Sequence, residues 1–177
     1  MYQRIKKIMI LITVFFAINT QSSHANNTAP NNKNSDQSIE HAVLIHINEY
    51  RQKHGLSPLK MDERISKEAR NHSLDMARHR VSFGHKYFLK RINTLHAQIK
   101  NSGAGAENVA YNYKDGQDVV KNWLTSPGHK RNIDGNYNLT GIGVARDAKG
   151  KIYFTQIFLK TGVQKAYATR KSSSIFF

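Results

Sequence analysis

The chain has 177 residues, with 27 lysines and arginines against 12 aspartates and glutamates, a formal net charge of +15, and no cysteine. The missing thiols exclude a disulfide-stapled scaffold and a cysteine nucleophile, so any folded domain here is held by packing alone. Only one apolar run comes near membrane-spanning length, which excludes a multi-span membrane protein.

That run stands at the N-terminus. MYQRIKK is a basic segment, IMILITVFFAI is apolar but shorter than the ~20 residues of a spanning helix, and SHA before Asn26 has the small-x-small form of a signal-peptidase site. Residues 1–25 therefore read as a signal peptide and the protein as exported, periplasmic or extracellular. Residues 26–37, rich in Asn, cannot bury enough apolar surface to offset the entropy of ordering and read as a flexible leader.

Residues 38–163 have the length of one domain. IEHAVLIHINEYRQKHG places Ile39, Val43, Ile47 and Tyr50 on one helical face behind Ser38 as N-cap, and stops at Gly55. LSPLKMD reads as a turn. Asp62 caps a second helix whose Ile65, Ala69, His72, Met76 and Ala77 share a face, so that His72 points inward. VSFGH breaks the pattern, and a third helix follows with Phe88, Ile92, Leu95 and Ile99 in register. GAGAENVAYNY reads as extended from Asn108 onward. Asp115 or Gln117 leads into a fourth helix, which carries Val119, Val120, Trp123 and Leu124 and ends at Pro127-Gly128. LTGIGVAR, the turn DAKG and KIYFTQIFLK then read as a β-hairpin, and residues 164–177 as a tail. Helices followed by a strand pair predict an α+β domain, a three-layer αβα sandwich with helices around a small, mainly antiparallel sheet.

EARNHSLDMA, FGH, AENVAY, VVKNWLTSPGHKRNI, GIGVA and YFTQIF occur in this order along the chain. In that order they resemble the CAP superfamily (cysteine-rich secretory proteins, antigen 5 and pathogenesis-related 1), in its cysteine-free bacterial SCP-like branch. The resemblance implies the αβα sandwich and a central cavity with two facing histidines and a glutamate, which fall here on His85, Glu107 and His129. Many eukaryotic members add a second cavity glutamate on the helix before the last histidine. NWLTSPGH contains no acid, and Ala106 stands where a glycine commonly precedes the cavity glutamate.

On residue chemistry, two imidazoles and a carboxylate suit a divalent metal such as Zn²⁺ with an open position for water, or a general base with an orienting carboxylate, or a hydrogen-bonded polar cluster. All three residues are expected on irregular backbone near element ends. His72, Ser73, Asn108 and Gln156 are candidates for supporting the cavity. Gln156 stands alone among apolar neighbours and is expected to satisfy a buried backbone group or Glu107. No G-x-S-x-G elbow is present, and Ser126 precedes a proline. The expected function is therefore a binding module for a lipid, peptide or envelope component, modulated by metal. A metal-assisted or His/Glu-dependent hydrolase of peptides or wall polymers, with His85, Glu107 and His129 catalytic, is the alternative. A structural or adhesive envelope protein is another. The basic surface would attract anionic surface polymers, but its charges are scattered, and no specific nucleic-acid partner is expected.

Overall fold

The computed structural model describes residues 32–162. The signal peptide expected over residues 1–25, the start of the leader and the tail over 164–177 lie outside the described residues. Helix α1 spans Asn32–Lys53 and begins ahead of Ser38, so the second half of the expected leader is helical. Its early turns are tied to the domain, because Asp36 accepts a 2.9 Å bond from Nε of Arg146.

Short strand β1 (Lys60–Met61) follows, within the stretch expected as a turn. Helix α2 (Glu63–Ala77) is capped by Asp62, whose side chain accepts from the Arg64 amide. Helix α3 spans Phe88–Gln98. Strand β2 (Ser102–Tyr111) begins well before Asn108, with a register irregularity between Ser102 and Gly105 that suits its glycines. Helix α4 (Gly116–Thr125) is capped by Asp115. Pro127 does not simply end that helix. It opens a further one, α5 (Pro127–Asp134), because a residue without an amide hydrogen costs nothing at the first helical position. Strands β3 (Leu139–Arg146) and β4 (Ile152–Thr161) form the expected hairpin.

The sheet order is β1-β3-β4-β2, antiparallel except for the parallel β1–β3 pair. Side chains alternate between its faces. Ala106, Ala110, Ile142, Val144, Phe154 and Phe158 pack with Val43, Val119, Trp123 and Ile133 beneath α1, α4 and α5. Ile157 and Leu159 pack with Ile65, Ala69, Ile92 and Leu95 beneath α2 and α3. Burial on both faces explains why the hairpin strands are apolar nearly throughout. The molecule is therefore α+β in three layers, with five helices around a four-stranded sheet among the described residues. Among those residues, no helix is long and apolar enough to cross a membrane.

Candidate functional site

The site lies at the β2 edge of the sheet, where two layers meet. Glu107 is in mid-strand, not at an element end, and pairs with Ile157. Ala106 beside it pairs with Phe158 and is packed into the core, so the absent glycine leaves β2 regular at this point. Alternation turns Glu107 toward α2 and α3, and its side chain is 1% exposed.

A buried carboxylate needs partners. Arg91, on α3, donates Nε to Oε2 at 2.9 Å and Nη2 to Oε1 at 2.7 Å, a bidentate pair. His85 donates Nδ1 to Oε1 at 3.0 Å from the loop between α2 and α3. Arg91 also donates Nη1 to the Lys86 carbonyl at 2.8 Å, tying that loop down beside His85. Burial alone would raise the Glu107 carboxyl, but the bonds from His85 and Arg91 outweigh it and hold it below the ordinary glutamate value.

His72 points inward as expected. Its Nε2 donates to the Gly84 carbonyl at 2.8 Å and lies 4.0 Å from Oε1 of Glu107. Gly84 has φ +132°, a conformation L side chains rarely adopt, so a glycine is required where the loop turns its carbonyl to His72. Burial, followed by repulsion from Arg91, lowers the His72 value.

His129 comes from the opposite layer and, against expectation, sits in the first turn of α5. Its Nδ1 is buried without a hydrogen-bond partner among the described residues. Burial and the neighbouring His85 lower its value, so the ring is neutral at neutral pH. Asn108 faces α5. It donates Nδ2 to the His129 carbonyl at 3.2 Å and accepts from Asn132 at 2.8 Å, anchoring α5 to β2.

His85 and His129 line one cleft of about 670 Å³, with Trp123, Tyr113, Tyr111 and Ser126. The His85 side chain is 52% exposed. With Nδ1–H held by Glu107, a neutral His85 presents its unprotonated Nε2 as a free lone pair. Two other expected supporters stand apart. Ser73 donates to the Gly143 carbonyl and accepts from the Thr155 hydroxyl, both at 2.8 Å, fastening α2 to the sheet. Gln156 donates to Thr140 at 3.3 Å on the face opposite Glu107, because alternation in β4 turns it to the α1 side.

Among the described residues, no group of three His, Cys, Asp or Glu side chains is placed to hold a metal ion. Both Glu107 oxygens are engaged by Arg91, which leaves imidazole nitrogens as the donors for any cation. Arg91 is the residue that sequence reading missed. It falls three residues after Phe88 and four before Leu95, on the apolar face of α3, and a charge in such a stripe calls for a buried partner.

The family model described as CAP, the cysteine-rich secretory protein family, matches residues 44–158. An uncharacterized protein of Bacillus subtilis, YkwD, is 36% identical over 137 residues, covering 75% of this chain and 51% of its own. The uncharacterized membrane protein YlbC of the same organism is 36% identical over 127 residues, covering 68% and 34%. The chain thus spans about half or less of the length of these two relatives. Human Golgi-associated plant pathogenesis-related protein 1 is 30% identical over 149 residues, covering 81% and 82%. Two solved structures share the fold. An extracellular SCP-domain protein of Bacillus anthracis has a TM-score of 0.61 at 24% identity, covering 73% of this chain and 42% of that one. An outer surface protein of Borrelia burgdorferi has a TM-score of 0.60 at 23% identity, covering 72% and 93%. The family match extends over both histidines, Glu107 and nearly all of the sheet, and the chain belongs to the CAP family.

Proposed function

We propose that the protein is an exported binding module whose His85–His129 cleft takes a lipid, peptide or envelope component. Export is supported by the N-terminal segment pattern and by fold relatives described as an outer surface protein and an extracellular protein. The observation that carries the binding reading is the cleft itself: two imidazoles from opposite layers share about 670 Å³ with aromatic walls, while the Glu107 carboxylate behind them is sequestered by Arg91. Such a site can hold a ligand between ring faces and nitrogen lone pairs, with its carboxylate already engaged by Arg91 and His85.

The same pair supports modulation by a divalent metal such as Zn²⁺. Nε2 of His85 is held ready by the Glu107 bond behind it, and Nδ1 of His129 is a buried polar atom still lacking a partner among the described residues. Two imidazoles and water would make an open site, supplying Lewis acidity toward an oxygen of the ligand.

The test is a titration of the folded domain with lipid, peptide and glycan panels, followed by NMR of the His85 and His129 ring signals, with turnover measured on peptide and ester substrates alongside. Saturable shifts at both rings without turnover are expected. Hydrolysis abolished by His129→Ala in a folded protein would overturn the binding reading in favour of a hydrolase.

A further inference from the structure

The His cleft does not end at Tyr111. Phe83 and Tyr111, which line it, also line a neighbouring depression of about 330 Å³ with Met76, Val81 and Tyr153. Tyr153 and His79 in turn line a third depression, of about 630 Å³, that reaches Arg78, Lys149 and Lys151. The three form one groove running across the strands at one end of the sheet, since Tyr111 is registered with Tyr153 and Tyr153 with Ala145. Two strand spacings, roughly 10 Å, separate Tyr111 from Ala145, and the basic residues lie beyond, at the β3–β4 turn and the end of α2.

The parts differ in chemistry. Phe83 and Tyr111 are 50% and 45% exposed, pack edge to face at 4.8 Å, and Tyr111 stacks on Tyr153 at 5.6 Å. This stretch has ring faces and no lysine or arginine. At the far end, Arg78, Lys149 and Lys151 have no ion-pair partner among the described residues, whereas Arg146 is paired with Asp36. Asp147, the acid on that lining, accepts the Lys149 and Lys151 amides through Oδ1 and shapes the turn that presents their side chains.

We propose that this groove binds a phosphate-bearing sugar chain, with a phosphate among Arg78, Lys149 and Lys151 and a neighbouring sugar ring on Tyr111 and Phe83. Charge complementarity selects an anion, because Arg78, Lys149 and Lys151 line one depression without an ion-pair partner among the described residues. Segregation of rings from cations selects the polymer. A single-stranded nucleic acid is held by cations tracking its whole backbone, whereas this groove has them at one end. A flat acidic membrane would meet protruding cations, whereas these line a concavity. The inference extends the binding reading of the His cleft and shares two of its walls.

The experiment titrates the protein with a glycosylated polyol-phosphate chain, a polyphosphate of equal charge, the neutral oligosaccharide and an oligothymidylate, at two salt concentrations. Lys149→Ala/Lys151→Ala and Tyr111→Ala are run in parallel. The glycosylated phosphate chain should bind best. The double lysine variant should weaken it about tenfold and flatten its salt dependence, since fewer counterions are released. Tyr111→Ala should also weaken it about tenfold, by removing the apolar surface that a sugar ring would cover, while leaving polyphosphate unchanged. Equal binding of polyphosphate and glycosylated chain, insensitive to Tyr111, would reduce the groove to a general basic surface and overturn the proposal. Tighter binding of the oligothymidylate would replace it with nucleic-acid binding. Ligand shifts at His129 with no effect of the lysines would retain the cleft and overturn the groove. Lysine-dependent binding with silent histidines would retain the groove and overturn the cleft.

Discussion

Glu107 and Asn108 stand back to back on β2, and between them they hold the two histidines of the cleft from opposite sides of the sheet. Glu107 orients His85 through Nδ1 at 3.0 Å, and Asn108 anchors the His129 carbonyl at 3.2 Å. Asn132 closes the arrangement by donating to both the Glu107 carbonyl and the Asn108 side chain. The period of two in a strand lets adjacent residues serve separate layers. A one-residue slip of β2 would exchange their roles and dismantle the site.

The Arg91–Glu107 pair is the most costly interaction to break at the site. Arg91→Met leaves a carboxylate buried with His85 as its remaining close partner and should destabilise the fold by about 3–5 kcal/mol. Adding Glu107→Gln should recover a substantial part of that loss, because the stranded charge is gone. Urea unfolding of the two single variants and the double variant measures this. Additive losses would show that the pair is not coupled.

Zinc titration by calorimetry tests the two-imidazole site. His85→Ala and His129→Ala should each lower affinity sharply, and His96→Ala, whose ring is engaged with Ser102 away from the cleft, should not. Only neutral imidazole can ligate, and His129 is shifted below 6.5, so its contribution should persist to lower pH than that of an ordinary histidine. Equal binding by all four proteins would exclude a histidine metal pair.

Acidification should destabilise the domain in two stages. His72 and His129 have folded values below the ordinary 6.5, so the unfolded chain takes up their protons first, and stability declines as pH falls below about 6.5. Glu107 is held below the ordinary 4.5, so its contribution is present above that value and is lost as pH falls through its folded value. Urea midpoints between pH 8 and 3 should show both declines, with His129→Asn making the first shallower. A midpoint unchanged between pH 7 and 5 would contradict the histidine stage.

Arg51, in the last turn of α1, is buried and donates to the carbonyls of Ser57, Ile133, Gly135 and Tyr137. It satisfies the C-terminal end of α5, the helix whose first turn carries His129. Arg51→Met should cost about 3 kcal/mol by leaving several acceptors unpaired, and should shift the His129 ring signals from a distance. Thermal unfolding and histidine NMR read both effects. A destabilised variant with His129 signals unmoved would confine Arg51 to stability.

The sequence by itself determined what depends on neighbours along the chain. The inward face of α2 with His72, the cap at Asp62, the DAKG hairpin and the run of apolar hairpin strands follow from periodicity and turn chemistry, which are local. His85, Glu107 and His129 were legible through the resemblance carried by FGH, AENVAY and SPGH. Only the tertiary structure decided what those residues face. Arg91 meets Glu107 from a different element, β1 exists only because Leu139 and Thr140 lie alongside it, and α5 opens at a proline that reads locally as a stop. Strand register and burial arise from contacts between distant segments, and a carboxylate's partner is set by which charged group is enclosed with it when water is excluded.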